Sequence, residues 1–353
     1  MKKSLFLAFF VLLAIAPAAF ADRIAAWIPP WDNAALASMQ QNASAISEAN
    51  PVWYSWNADT TIAKNWNAEN EAWRAAMSAA QMLPTIQNVV KGSYDGNAVA
   101  AMLATAATRE AHATLIAQLV QLNAFDGIDV DYERIPTASR ANFTAFIAAL
   151  AQKLHAANKK LSVTVYPKTS DSQNWTGPGA ADYAALGALA DSIKIMAYDY
   201  SWDGSAPGPI SPLDWLDEVA AYAESVIPSQ KIMIGLPFYG YNWSGGSGRG
   251  VSYKEAMQAA QTQGATVAHD ANGEATFTYA SGAGTVYFQD AASYARKVEM
   301  LRQKHPQLGG FAHWALGQED PGVWDVIRAN GSSSGATPPP APPQSAKRRA
   351  AGH

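Results

Sequence analysis

The sequence predicts an α/β fold: a (β/α)8 TIM barrel with a small α+β insertion between strands 7 and 8. Three observations carry that expectation. Eight short apolar segments, rich in β-branched or aromatic residues, recur between residues 22 and 330. Alanine-rich amphipathic stretches separate them. The interval between the seventh and eighth segments is too long for one helix and its loops. Short apolar runs read as buried strands, and strands alternating with helices imply a parallel sheet. Eight alternations suit a barrel; from pattern alone, a doubly wound open sheet is the alternative.

The strands are expected near 24–28, 52–56, 83–87, 127–133, 161–166, 192–198, 231–238 and 310–316. Helices are expected at 99–122, 140–157, 214–225 and 291–303, where apolar residues recur at helical spacing. The insertion, at about 241–288, contains a helical stretch at 251–263. It also holds strand-like runs at 266–269, 275–279 and 285–288, with turn signals at Asn272-Gly273 and Ser281-Gly282.

Both ends differ from this body. Lys2 and Lys3, the apolar run 5–15 and Ala19-Phe20-Ala21 read as a signal peptide over 1–21, with a mature start at Asp22. The run is too short for a comfortable membrane span. The chain is therefore expected to be secreted or periplasmic, with no stable span in its mature part. Residues 331–353 are rich in Ser and Pro and end in Lys347, Arg348 and Arg349. Such a tail packs no core and is expected to be disordered. The folded domain is expected over 22–330, as a monomer.

Composition excludes several classes. Half of the 353 residues are hydrophobic, enough for one barrel-sized core. There is no cysteine, which excludes a disulfide scaffold, a thiol nucleophile and a Cys-ligated metal. With the two basic ends set aside, the body carries 20 basic against 29 acidic residues, a net charge of −9. That balance disfavours nucleic acid and suits a neutral or cationic polymer.

The chemistry concentrates in one strand. Asp129, Asp131 and Glu133 alternate along 127–133, so their side chains share a face, which in a barrel points inward. Asp126 has the other parity and is expected to fix the strand entrance, although a bulge at Gly127 would relax that parity. Burying three anions costs several kcal/mol each unless they are paired or protonated. The only adjacent base, Arg134, has the opposite parity to Glu133. At least one carboxyl is thus expected to keep its proton, as a general acid does. The clustered histidines of a tight metal site are absent, and no metal or cofactor is expected.

The segment Asp126-Gly127-Ile128-Asp129-Val130-Asp131-Tyr132-Glu133 resembles the D-G-x-D-x-D-x-E signature of family 18 glycoside hydrolases. All its acidic positions match. The resemblance implies that Glu133 protonates the glycosidic oxygen and later acts as the base. Asp131 then orients the substrate's N-acetyl group, which attacks the anomeric carbon, an exception to the two-carboxylate scheme. Asp129 relays charge to Asp131.

Two more strand ends are similar to the family. Met196-Ala197-Tyr198-Asp199 resembles its M-x-Y-D segment. That implies that Tyr198 and Asp199 hydrogen-bond the acetamido group and that Met196 lines the pocket. Gly309 to Gly317 resembles the last strand, whose Trp, here Trp314, floors the site under the cleaved sugar. Strands four, six and eight would bring these motifs to one barrel mouth. Trp31, Trp56, Trp202, Tyr239 and Trp243 follow or end strands and extend the candidate cleft, with about half expected to be packing residues. His313 is expected to be a packed histidine.

The third strand, Leu83-Pro84-Thr85-Ile86-Gln87-Asn88-Val89, departs from the S-x-G-G common in chitinases. Pro207 to Leu213, Gly235 to Tyr241 and Leu316 to Trp324 resemble the branch with bacterial spore-cortex fragment-lytic N-acetylglucosaminidases. The LysM wall-binding repeats common on such spore enzymes are absent. The implied substrate is an N-acetylglucosamine-containing polysaccharide or oligosaccharide, of peptidoglycan type or chito-oligosaccharide. The alternatives are a chitinase acting mainly on chitin and a non-catalytic glycan-binding relative.

Overall fold

Strand 1 shows in miniature how side-chain alternation builds the protein. Ile24, Ala26 and Ile28 join the core between sheet and helices, whereas Ala25 and Trp27 point the other way, towards Met233 and Ala312. The computed structural model describes residues 22–57, 61–172 and 175–332. The expected signal peptide and nearly all of the expected tail lie outside those residues.

Eight parallel strands follow chain order. Strand 1 is Arg23–Ile28, and strand 2 runs in two pieces, Glu48–Pro51 and Tyr54–Trp56. Strand 3 is likewise divided into Gln81–Met82 and Thr85–Gln87. Strands 4 to 8 are Gly127–Asp131, Lys160–Val165, Ser192–Ile195, Ile232–Pro237 and Gly310–Trp314. The breaks in strands 2 and 3 fall after Pro51 and at Leu83-Pro84. Proline has no N–H to give a ladder. The first piece of strand 3 pairs with strand 2, and its second piece pairs with both strand 2 and strand 4. Strand 8 pairs with strands 7 and 1, which completes a (β/α)8 barrel-like circuit.

The expected helix at 99–122 is two helices, Gly96–Met102 and Ala106–Leu122. Thr105 divides them, because its hydroxyl caps the second by accepting from the N–H of Thr108. Arg140–Ala156, Leu213–Val226 and Ala291–Lys304 lie where the periodicity puts them.

Between strands 7 and 8 the chain forms a five-stranded antiparallel sheet. Its strands are Tyr239–Ser244, Gly248–Ser252, Ala268–His269, Ala275–Thr278 and Gly284–Phe288. Helix Tyr253–Thr262 begins on a capping box between Ser252 and Glu255. The hairpin of the first two strands was not expected. Its signal was Gly245-Gly246, both at positive φ, 96° and 103°.

There is no bulge at Gly127. The register runs unbroken from Lys160 opposite Gly127 to Val163 opposite Val130. Glycine is needed there for a different reason: a Cβ would lie 2.2 Å from the carbonyl oxygen of Lys160.

Candidate active site

Asp126 does fix the strand entrance, accepting the N–H of Met82 at 2.8 Å. Asp129 is fully buried in the barrel. It accepts hydrogen bonds from Trp27 Nε1 and Thr85 Oγ1, both at 3.0 Å, and from Thr164 Oγ1 at 3.2 Å. Lys194 Nζ lies 3.1 Å from its Oδ1 and 2.7 Å from Glu48 Oε1, with all three side chains buried. The cation at Asp129 is thus not the adjacent Arg134 but one from a distant part of the chain. Lys194 comes from strand 6 and balances Asp129 from across the barrel. Its signal was a lone lysine between Ile193 and Ile195, with the parity of Tyr198.

Asp131 differs. Its Oδ2 accepts from Gln87 Nε2 at 2.8 Å, while its buried Oδ1 has no partner. Burial, then the charge of Glu133, push its carboxyl well above the ordinary range. Glu133 lies two residues past the end of its strand, yet it keeps the inward parity. Burial raises its carboxyl too, against hydroxyl donation from Tyr166 and Tyr94. The two neighbours thus hold a proton to higher pH than isolated carboxyls do.

Asn88 fixes Glu133 by its backbone. It accepts the N–H of Glu133 at 2.8 Å and donates to its carbonyl oxygen at 2.9 Å. Asn88 is fully buried. Asn88→Ala is expected to cost about 1–3 kcal/mol of stability, as buried backbone groups lose their partners. It should lower kcat more than it raises KM, which urea unfolding and steady-state kinetics would separate. Sequence reasoning missed Asn88, Gln87, Tyr94, Tyr166 and Lys194 because each acts across strands, where no local spacing marks it.

The remaining candidates divide. Tyr198 meets Tyr239 edge-on with ring centroids 6.1 Å apart. Burial, then the charge of Asp131, raise its hydroxyl well above the ordinary range. Asp199 accepts from the hydroxyls of Tyr239 and, at 3.0 Å, Tyr241. Trp314 is half-buried, edge-on to Trp27, and belongs with Tyr198 to the aromatic cluster around Tyr239 and Trp243. Met196 is half-buried just past the end of strand 6.

Trp31, 61% exposed, stands on the loop after strand 1, outside that cluster. Trp202 is also exposed. Trp56 is a correction. It is 1% exposed and meets His112 in the core outside the sheet, so no sugar can stack on it. His313 is packed as expected, between the hydroxyl of Tyr294 and the carbonyl of Ala25, and burial lowers it to about 4.

Two buried carboxyls that hold protons to raised pH beside aromatic rings, at the strand ends of such a barrel, suit acid chemistry on sugars, the work of a glycoside hydrolase. The chain belongs to the glycosyl hydrolases family 18, whose family model matches residues 22–319. It is 31% identical over 251 residues to a putative sporulation-specific glycosylase, YdhD, of Bacillus subtilis, covering 69% of this chain and 59% of that protein. It is 28% identical over 255 residues to a cortical fragment-lytic enzyme of Bacillus anthracis, with the same coverage. The chain thus spans 59% of the length of these two relatives. Among solved structures, the spore cortex-lytic enzyme SleL of Bacillus cereus superposes with a TM-score of 0.80 at 25% identity, over 88% of this chain and 74% of that one. A chitinase from Chromobacterium violaceum gives 0.78 at 28% identity, over 88% and 99%. Among the described residues no helix is long and apolar enough to cross a membrane.

Proposed function

We propose that the chain is a retaining β-N-acetylglucosaminidase that cleaves after N-acetylglucosamine in peptidoglycan-type glycans or chito-oligosaccharides. The observation that carries the reading is Asp131, with one oxygen held by Gln87 and the other buried without a partner beside Glu133. A buried lone acceptor asks for a donor, and the N–H of an acetamido group is one. With that N–H held, the acetamido oxygen attacks C1 and Glu133 gives its proton to the glycosidic oxygen, which leaves with the bonding pair. Water then attacks C1 of the oxazolinium, whose C1–O bond breaks to restore the acetamido group, and the water gives a proton to Glu133.

Tyr198 and Asp199 are proposed to steady the acetamido group. Trp314 would floor the sugar, and Met196, Tyr239 and Trp31 would line the cleft. The sheet between strands 7 and 8 would be an insertion standing over the barrel mouth as one cleft wall. Asp129, tied to Lys194, would hold the charge balance under Asp131. The signal-like residues 1–21 support a secreted or periplasmic enzyme.

Peptidoglycan and chitin digested side by side should release new reducing ends at N-acetylglucosamine, identified by mass spectrometry. A release confined to chitin would favour a chitinase, a reading supported by the likeness to the Chromobacterium chitinase. Binding to both polymers with no new ends would make the chain a glycan-binding protein. A thiazoline that mimics the oxazolinium should inhibit competitively; failure to bind would argue against the substrate-assisted route.

A further inference from the structure

Strand 5 ends beside the acid. Tyr166, the first residue after Lys160–Val165, gives its hydroxyl hydrogen to Oε2 of Glu133. Three contacts hold the residue that carries this hydroxyl. Tyr183 donates its own hydroxyl to the carbonyl of Tyr166. The ring of Trp175 meets that of Tyr166 at 60°, with centroids 6.2 Å apart. Gly177, at a φ of 104°, passes so close that a Cβ there would lie 2.9 Å from Cε2 of Tyr166. The N–H of Gly177 in turn donates to the carbonyl of Ile135 at 3.1 Å, two residues beyond Glu133. Residues 175–177 thus fix the tyrosine ring against the chain that bears the acid. Asn88 already fixes the backbone of Glu133, so what Tyr166 adds is the orientation of the carboxyl.

We propose that Tyr166 is a positioning residue that holds Oε2 of Glu133 as the acceptor and leaves Oε1 to carry the transferable proton. The proposal rests on the hydrolase reading above. A protonated carboxyl has one oxygen that donates and one that accepts, and a hydroxyl donor at Oε2 selects which is which. When Oε1 gives its proton to the glycosidic oxygen, the O–H bonding pair stays on Glu133 and both oxygens share the new negative charge. The bond from Tyr166 then becomes charge-assisted and roughly twice as strong. It is stronger in the transition state than before it, so its loss falls on kcat rather than KM. Burial, then the charge of Glu133, raise the Tyr166 hydroxyl above its ordinary range, so it remains a donor. The other titratable or charged groups facing Glu133 are Tyr94, Arg134, Asp131 and Asp199.

Tyr166→Phe removes one oxygen and keeps the ring against Trp175 and Gly177. On chitotriose kcat should fall about 10-fold with KM within a few-fold, since the acid is less well aimed and its anion less well held. On a dinitrophenyl chitobioside, whose leaving group needs little protonation, kcat should stay within about 2-fold. The descending, alkaline limb of kcat/KM should move to higher pH, because the ionised form of Glu133 loses a donor. Gly177→Ala keeps the hydroxyl but displaces the ring, and should give the same selective loss on chitotriose.

An unchanged kcat on chitotriose in Tyr166→Phe, equal losses on both leaving groups, or an unshifted alkaline limb would overturn the proposal. Should Gly177→Ala not fold, judged by its unfolding transition, Tyr166→Phe decides alone. Glu133→Gln separates the two levels. If that variant stays active, the hydrolase reading fails and the proposal with it; if it is inactive and Tyr166→Phe behaves like the unaltered protein, only the positioning role fails.

Discussion

Glu133→Gln is expected to lower kcat/KM on chitotriose at least about 10³-fold while leaving sugar binding intact. General acid–base assistance is worth roughly 10²–10⁴-fold, and Glu133 would serve in both steps, so its loss falls at the upper end of that range. Gln is nearly isosteric, and its carbonyl oxygen can still accept from Tyr166, which donates to the native carboxyl. The cleft should keep its shape, and calorimetric titration with a chito-oligosaccharide should give a Kd within a few-fold of the unaltered protein. Full turnover by this variant would remove Glu133 from the role of acid.

The same carboxyl fixes the sign of the pH dependence. The reactive form has Glu133 protonated. Burial raises its carboxyl above the ordinary value despite the two tyrosines. Activity should therefore persist at pH values where an exposed glutamate is already ionised, then decline as pH rises through the raised value. Burial raises the Asp131 carboxyl as well, so the two accompany each other as one titrating pair.

What could be read from the sequence follows from locality. Parity along 127–133 placed Asp129, Asp131 and Glu133 on one face, and it survives although the strand stops at Asp131. The same rule identified Asp126 as the residue at the strand entrance. Trp56 misled because an aromatic near a strand end looks the same in sequence whether it turns inward or outward; here it turns outward, to His112. Lys194 was invisible for a different reason. It lies 65 positions from Asp129, and only closing the sheet brings them to 3.1 Å. Tyr94 depends on a two-residue hairpin whose only local signal is Lys91-Gly92 at positive φ.

Lys194→Met is expected to cost about 3–5 kcal/mol of stability and to abolish activity. Removing one partner of a buried ion pair leaves an uncompensated charge. Here it leaves two, Glu48 and Asp129, in a barrel interior they share with Asp131. The loss is measured by urea unfolding. Lys297 is the control. It is equally buried, 2.5 Å from buried Glu274, which also receives the N–H of Ile210. It belongs to the helix Ala291–Lys304 and touches none of the reacting groups. Lys297→Met should destabilise to a similar extent, yet at temperatures where it stays folded its pH–activity profile should match that of the unaltered protein. If both variants lost only stability, Asp129 and Lys194 would be scaffold alone. If only Lys194→Met also lost turnover while folded, the balance of charge beneath Asp131 would be part of how the site works.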